Sequence, residues 1–456
     1  AAAAGQDWDD RIGRALFNLG NVKGSIEYMQ RAVAPVTGPF PRGVAIVPRL
    51  IGEFARIRLN RPGQPALPAE RQRVLAAADA CLRLSYQHYE VQDLPAAMLA
   101  CFLTVNLGRR AGGANVPLAL GLASLAVASL SAPFLLDGHR YRDLAVAMAE
   151  ELAAPDGLFW IGIGASSFDL VQGRFSEAER LVDRAIAVAR EHMGARDWEM
   201  AVSHKANLMR TMGRHREGSE LDGLTLASSR DRGLVLGRIW GLTGRCKSLY
   251  WTGEIEAFRA ELAELKALIA DADIAANTSR NNALAAASAE ANLALLEGDT
   301  RRALEHIASA LRLFAGVRDP QFYMEDVPGY LGDALLRAWQ LDRSAPVVPL
   351  ARANIKAARR IARLYPVAGS RVQLARGDLA LFSGHPDRAR TFWAQARDYA
   401  ASRGLGAAEA QTLVRAAMPE LQEGSARQEA AARVDAIFSG LGAETPFHWR
   451  QIMDGA

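Results

Sequence analysis

The sequence contains little cysteine. Its three cysteines, Cys81, Cys101 and Cys246, are odd in number and widely spaced, and no Cys-x-x-Cys pair occurs. A disulfide framework and a zinc knuckle both need more cysteines at closer spacing. The pattern therefore favours a reducing, cytoplasmic setting. The chain opens with Ala1–Ala4 and has no initiating Met, so we expect it to be part of a longer polypeptide.

Sequence motifs for catalysis are also missing. The sequence has no Gly-x-x-x-x-Gly-Lys-Ser/Thr loop, no Gly-x-Ser-x-Gly elbow and no His-x-x-x-His pair. His-x-Glu occurs at His88 and His215, but no Cys pair follows to complete a zinc site, so both histidines are predicted to be exposed polar residues. Gly162 and Gly164 lack the third glycine of a dinucleotide loop and are predicted to allow close helix packing. We therefore expect no catalytic residue, cofactor or metal.

An excess of one charge sign is absent. The 54 Lys and Arg residues face 50 Asp and Glu residues, the formal net charge is +4, and the two signs alternate along predicted helix faces. Such a pattern is typical of solvated helices and excludes a basic stripe for nucleic acid. The 21 residues from Val116 to Leu136 carry no charge and could span a bilayer. Their Ala, Ser and Gly content favours a buried solenoid helix instead, with no membrane partner.

Alanine and leucine dominate the apolar half of the composition, while aromatic residues make up only 7%. Alanine and leucine are strong helix formers because they lose little side-chain freedom in a helix. Runs of β-branched residues with period two are almost absent. The composition therefore predicts an all-α protein.

A repeated turn pattern specifies the architecture. A glycine ends one helix, and small residues five and twelve positions later lie on one face of the next helix. The four clear copies are Gly20 with Ser25 and Ala32, Gly173 with Ala178 and Ala185, Gly298 with Ala303 and Ala310, and Gly384 with Ala389 and Ala396. Weaker copies begin at Gly213 and Gly253, and a hidden turn is predicted near Trp339–Leu341. The spacing predicts a right-handed α-solenoid of antiparallel helix pairs, with tetratricopeptide-like (TPR-like) repeats of 34–45 residues.

Three regions are predicted along this array. Residues 1–60 form an N-terminal repeat and a proline-rich connection, residues 61–424 the solenoid, and residues 425–456 a C-terminal capping helix and tail. The tail contains the apolar cluster Thr445–Trp449, which is predicted either to cap the last repeat or to dock on a partner domain.

Two further features concern packing and ligands. Gly233, Gly237, Gly241 and Gly244 are predicted to form a smooth helix strip for close contact between repeats, or the floor of a ligand groove. The candidate ligand contacts on a concave face are Trp160, Trp198, Trp240, Trp251 and His204. The alternative interpretation of these side chains is core packing between helices.

The segment Trp8–Pro41 carries Leu16–Gly20, Ile26–Ala32 and Gly38–Pro41, and later segments include Gly162–Gly164, Gly173–Ala178 and Tyr365–Gly384. In these residues the chain resembles the C-terminal TPR-like regions of bacterial class III adenylate/guanylate cyclases, or of protein kinases, fused to an AAA/STAND-type ATPase. The resemblance rests on helix-packing residues. It implies an attached catalytic domain and carries over no catalytic residue.

The sequence thus favours a non-enzymatic region that binds a protein, peptide or small effector and regulates an attached ATPase or cyclase-type domain. The alternative is a small-molecule sensor or enzyme with a pocket on the concave face of the solenoid.

Overall fold

The computed structural model describes residues 2–18, 21–60, 64–91, 93–130, 135–271, 280–317, 324–418 and 424–454. This part of the chain is almost entirely helical and contains no strand. It divides into two compact units. Unit 1 comprises residues 1–168 and 180–194, and unit 2 comprises residues 169–179 and 195–456. The predicted divisions at residues 60 and 424 stay predictions.

Unit 1 is built from the first nine helices, the last two of which extend by a few residues into unit 2. They are α1 (Ala2–Asn18), α2 (Val22–Thr37), α3 (Ile46–Arg58), α4 (Pro68–Glu90), α5 (Leu94–Ala111), α6 (Val116–Ala128), α7 (Gly138–Leu152), α8 (Pro155–Gln172) and α9 (Phe175–His192). Its core is formed by α2, α4 and α5, around residues such as Met29, Cys81 and Leu99.

Unit 2 continues the array. Its helices are α10 (Ala195–Thr211), α11 (His215–Asp231), α12 (Val235–Thr252), α13 (Ile255–Ala270), α14 (Arg280–Leu296), α15 (Thr300–Gly316), α16 (Val327–Leu341), α17 (Val347–Leu364), α18 (Ser370–Phe382), α19 (Pro386–Ser402), α20 (Gly406–Ala416), α21 (Ser425–Gly440) and α22 (Phe447–Asp454). Within each unit, helices pack mainly on their neighbours in sequence. Neighbours joined by short turns must run antiparallel. The fold is therefore the predicted all-α, solenoid type of repeat architecture; its right-handed sense stays a prediction.

The predicted glycines lie in the turns between paired helices. Gly173, Gly298 and Gly384 have φ angles of 81°, 75° and 77°, and the weaker copies Gly213 and Gly253 have 89° and 79°. A side chain is strained at such angles, so glycine allows one helix to end and the next to begin at once. The hidden turn near residues 339–341 is also present, because α16 ends at Leu341 and α17 begins at Val347. Gly20 lies outside the described residues.

The small residues that follow these glycines are all buried. In the described copies they are fully enclosed: Ala178, Ala185, Ala303, Ala310, Ala389 and Ala396. Within unit 1, a Cβ atom on Gly162 would lie 2.9 Å from the Cβ of Ala185 and 2.9 Å from the carbonyl oxygen of Leu181. Gly162 therefore lies inside α8 and lets α9 approach, as predicted, and forms no phosphate loop.

The glycine strip near residue 240 is confirmed in part. Gly241 lies against α11, where a Cβ would meet the Cβ of Leu226 at 2.9 Å, and Gly237 and Gly244 similarly leave room for Ser229 and Asp222. These three glycines therefore serve close contact between α11 and α12. The prediction was wrong for Gly233, which lies in the preceding turn with φ 67° and contributes nothing to the strip.

Two other expectations bear on the described helices. Pro35, in the region predicted to hold a proline-rich connection, lies inside the last turn of α2. The uncharged run after Val116 forms α6, which ends at Ala128. None of the described helices has the length and apolar content to cross a bilayer.

Candidate functional site

A pocket opens between four helices of unit 2. Its walls are Thr243, Cys246 and Lys247 of α12, Leu265 of α13, six residues of α14, and Met324, Val327 and Tyr330 at and before the start of α16. The α14 residues are Asn282, Leu284, Ala285, Ser288, Ala289 and Asn292. The cavity measures about 60 Å³, and the empty space around it, which includes open solvent at the mouth, measures about 670 Å³. Its lining is mainly apolar with a few amide, hydroxyl and ammonium groups, which is the composition expected for a small-molecule pocket.

The glycines of α12 help to position this wall. Gly237, Gly241 and Gly244 hold one face of α12 tightly against α11. Thr243, Cys246 and Lys247 lie on the part of α12 that is left to line the pocket. The strip is therefore packing, but it fixes the helix that carries three of the pocket residues.

The charged group of the pocket is Lys247. Its ammonium donates to both carboxylate oxygens of Asp326, at 3.1 and 2.9 Å, and lies 5.7 Å from the ring centroid of Tyr330. Lys247 is mostly buried, with 18% of its side chain exposed. Burial raises the pKa of the Tyr330 phenol well above its usual value, and Asp326 adds to this effect. The phenol is therefore neutral at physiological pH and can act as a hydrogen-bond donor.

Two buried ion pairs lie near the helices that line the pocket. Arg210 of α10 binds Asp222 of α11, and Arg371 of α18 binds Glu325, which also accepts from Thr211 at 3.1 Å. Burial raises the pKa of Asp222 to about 7, although Arg210 opposes the change. Each of these arginines is paired with a carboxylate. The pairs therefore join helices, and the two guanidinium groups do not form a phosphate-binding site.

A second buried cluster lies deeper in unit 2, around Arg415. Its guanidinium contacts Asp333 at 2.6 Å and Asp378 at 3.0 and 3.2 Å. The indole Nε1 of Trp449 donates to Asp333 at 2.9 Å, and that of Trp393 donates to Asp378 at 3.1 Å. Burial would raise the pKa of Asp333, but Arg415 and the donors from His448 and Trp449 overcome it and hold that pKa below its usual value.

The residues predicted as ligand contacts do not line this pocket. Trp251 is buried in the core of unit 2, with ring centroids 3.8 Å from His215 and 5.0 Å from Trp449. Trp160 packs edge-on against Tyr86 in unit 1, at 6.0 Å. The core-packing interpretation therefore describes Trp251, whereas Trp160 is half-buried.

The other three predicted contacts are partly or fully buried. Trp198 and Trp240 are half-buried on α10 and α12, and His204 is buried on α10. Burial lowers the pKa of His204 to about 4, so its imidazole is neutral at physiological pH.

The exposed positions predicted for two histidines were wrong. His88 and His215 are both about 5% exposed. His88 stacks on Phe40 at 5.5 Å, and His215 packs on Trp251. Aromatic neighbours distant in sequence enclose both rings, which a local turn pattern does not reveal. Among the described residues, no group of three or more His, Cys, Asp or Glu side chains could hold a metal ion.

Comparisons with known proteins add little. No family model matches the chain. No curated protein matches it either. One similar solved structure is titled "Circular tandem repeat protein with novel repeat topology and enhanced subunit contact surfaces"; it is 14% identical, with 100% of this chain and 98% of that chain covered and a TM-score of 0.19. A likeness at that TM-score carries no argument about this chain.

Proposed function

We propose that this chain is a non-enzymatic binding module in which the pocket of unit 2 holds a small effector or one side chain of a peptide. The observation that carries the proposal is the pocket itself. Apolar walls from Leu265, Leu284 and Val327 surround a few polar groups, among them Lys247 and Asn292. An amphiphilic ligand with an apolar body and one or two hydrogen-bonding groups would satisfy this lining.

Regulation requires that the ligand prefer one state of the protein. A ligand with equal affinity for two states shifts neither. The pocket is lined by α12, α13, α14 and the start of α16, so an occupant would contact several repeats at once. Small shear between packed helices is a known way to convert such contacts into a change of array curvature. We propose that this change regulates an attached ATPase or cyclase-type domain, as the sequence resemblance implies.

Binding can be tested with a pocket-filling substitution. Ala285 is half-buried in the pocket wall, so Ala285→Phe should occupy the space that a ligand would use. The matched control is Ala283→Phe, on the same helix but outside the lining. A fluorescent apolar probe, anilinonaphthalene sulfonate, should bind the Ala285→Phe protein at least fivefold more weakly than wild type. Equal affinities in the two variants would contradict a ligand site here.

The non-enzymatic part needs a separate assay. Phosphoryl and nucleotidyl transfer require donors around the phosphates and carboxylates that hold Mg²⁺ opposite a nucleophile. The sequence offers no Gly-rich loop ending in Lys, and its five lysines are scattered; one of them, Lys247, is bound by Asp326. The isolated chain should therefore release no phosphate and no cyclic nucleotide from ATP or GTP with Mg²⁺ or Mn²⁺. Activity that stays with the protein through two purification steps would overturn this proposal.

Coupling to a catalytic domain is tested in the complete polypeptide. If an ATPase or cyclase domain is attached, Ala285→Phe should change its turnover at least twofold, while Ala283→Phe should not. A catalytic domain that responds to neither variant would leave binding intact and refute regulation through this pocket.

A further inference from the structure

The last helix of unit 2 is seated like a bound peptide. Helix α22 has only eight residues and follows a non-helical connection at residues 443–446. A helix this short is not stable by itself in water. It contacts α12 and α16, which lie far away in the sequence, as well as α20. The tail cluster Thr445–Trp449 therefore docks within its own unit, across repeats that precede it by more than a hundred residues.

One face of α22 makes the apolar contacts. Trp449, Ile452 and Met453 are buried, and their spacing of i, i+3 and i+4 places them on one side of the helix. The Trp449 ring lies 5.0 Å from Trp251 and 5.5 Å from Phe438. This pattern of anchors on one face is the way in which amphipathic helices bind in grooves of other proteins.

Polar contacts fix the position of the helix. The Trp449 indole donates to the buried carboxylate of Asp333 at 2.9 Å. At the other end, Gln340 donates to the carbonyl oxygen of Ile452 at 3.0 Å, and Arg427 donates to that of Met453 at 2.6 Å. The last carbonyls of a helix have no partner within it. Here side chains of α16 and α21 satisfy two of them, as a receptor does for a peptide.

We propose that α12, α16, α20 and α21 form a recognition groove for an amphipathic helix with a central indole, and that α22 fills this groove in the free chain. The partner is a helical segment with Trp followed by aliphatic residues three and four positions later. The indole N–H selects it, because a buried Asp333 carboxylate that lost this donor would forfeit a charge-assisted hydrogen bond. The proposal does not depend on the effector pocket, whose lining includes none of the groove residues named here.

The test uses the full chain and a labelled peptide of residues 444–454. Trp449→Ala should empty the anchor position, and the folded variant should bind the peptide at least tenfold more tightly than wild type does, measured by fluorescence anisotropy. A peptide with Phe in place of Trp449 should bind at least fivefold more weakly, because it keeps a ring but lacks the N–H donor. Gln340→Ala in the Trp449→Ala background should also weaken binding, and circular dichroism checks that each variant is folded. Equal, weak binding to wild type and the folded Trp449→Ala variant would show that α22 is only a structural cap.

A second design avoids the anchor substitution. Glu444 is exposed, so a protease site can be placed in the connection at residues 443–444. After cleavage, the released segment should exchange with the labelled peptide on a chain that remains folded. Unfolding on cleavage, or no exchange at a large excess of peptide, would overturn the proposal. Incorporation of peptide only into dimers, seen by size-exclusion chromatography, would overturn it as well, since that result would indicate helix swapping between copies.

Discussion

Removing the charge of Arg415 should strongly destabilise unit 2. The Arg415 side chain is completely buried and binds both Asp333 and Asp378, which are themselves 3% or less exposed. Arg415→Met keeps most of the side-chain volume and removes the guanidinium. Two carboxylates would then be left in the core without their cation.

The expected magnitude follows from the burial. Breaking a buried ion pair by removing one partner typically destabilises a protein by about 3–5 kcal/mol, because the remaining charge is uncompensated. The donors from Trp393, Trp449 and Gln411 would still reach the two aspartates and would reduce part of this penalty. We therefore expect a loss of about 3–4 kcal/mol, which is a large fraction of the usual 5–15 kcal/mol of unfolding free energy.

Urea unfolding, followed by tryptophan fluorescence, measures this loss. Trp393 and Trp449, two of the eight tryptophans, donate to the two aspartates, so part of the emission reports on the cluster. The matched control is Arg301→Met, because Arg301 is 80% exposed and pairs with Glu305, which is 60% exposed. An exposed pair contributes about 0–1 kcal/mol. If Arg415→Met loses no more stability than Arg301→Met, the cluster does not hold unit 2 together.

The remaining predictions concern packing and pH. Ala185→Trp or Ala310→Trp should lower the unfolding free energy by about 1–3 kcal/mol or more, measured by thermal melts, because both sites are fully enclosed. Arg214→Ala removes partly exposed ion pairs with Glu179 and Glu217, so it should lower the unfolding free energy by less than about 1 kcal/mol in the same assay. Equal tolerance would contradict the small-residue face. The pKa of His204 is about 4 in the fold and about 6.5 when unfolded, so the unfolded state takes up the proton first and stability falls as the pH drops from 6.5 to 4. His204→Gln should remove roughly 2 kcal/mol of that loss in urea titrations at pH 7 and 4.5, and identical pH slopes for the two proteins would refute it.

Most of the fold could be predicted because the signal for it is local. Gly173, Gly298 and Gly384 each end a helix, and the alanines five and twelve residues later are buried. Both facts follow from the geometry of one turn and one helix, which a single sequence contains. The same reasoning missed Gly404, a turn between α19 and α20 with φ 66°, because Glu409 occupies the position five residues later where the pattern has a small residue.

The candidate site could not be predicted in the same way, because its residues are brought together over long distances. Lys247 and Asp326 are 79 positions apart, and Asp333 and Trp449 are 116 positions apart. No spacing rule connects them. The one sequence feature that points to this site is the scarcity of lysine, because Lys247 is one of only five lysines in the chain. Trp251, one of the predicted ligand contacts, instead fills the core, as large aromatic side chains usually do.

The buried charges also account for a property that the apolar repeats cannot supply. Helices built from alanine and leucine present similar surfaces, so their contacts alone discriminate poorly between one repeat and another. An ion pair such as Arg415 with Asp333 and Asp378 is satisfied in one arrangement only, and any slip would leave a buried charge unpaired. We infer that these pairs select the register of α16, α18 and α20, while the alanines provide close approach. The Arg415→Met protein should therefore lose its single packing arrangement as well as stability. In wild type, a shifted packing of these helices would leave the guanidinium unpaired, and the variant removes that cost. Its urea transition should broaden, because several packings would then be populated. A transition that moves to lower urea with unchanged slope would show that the apolar contacts alone set the register.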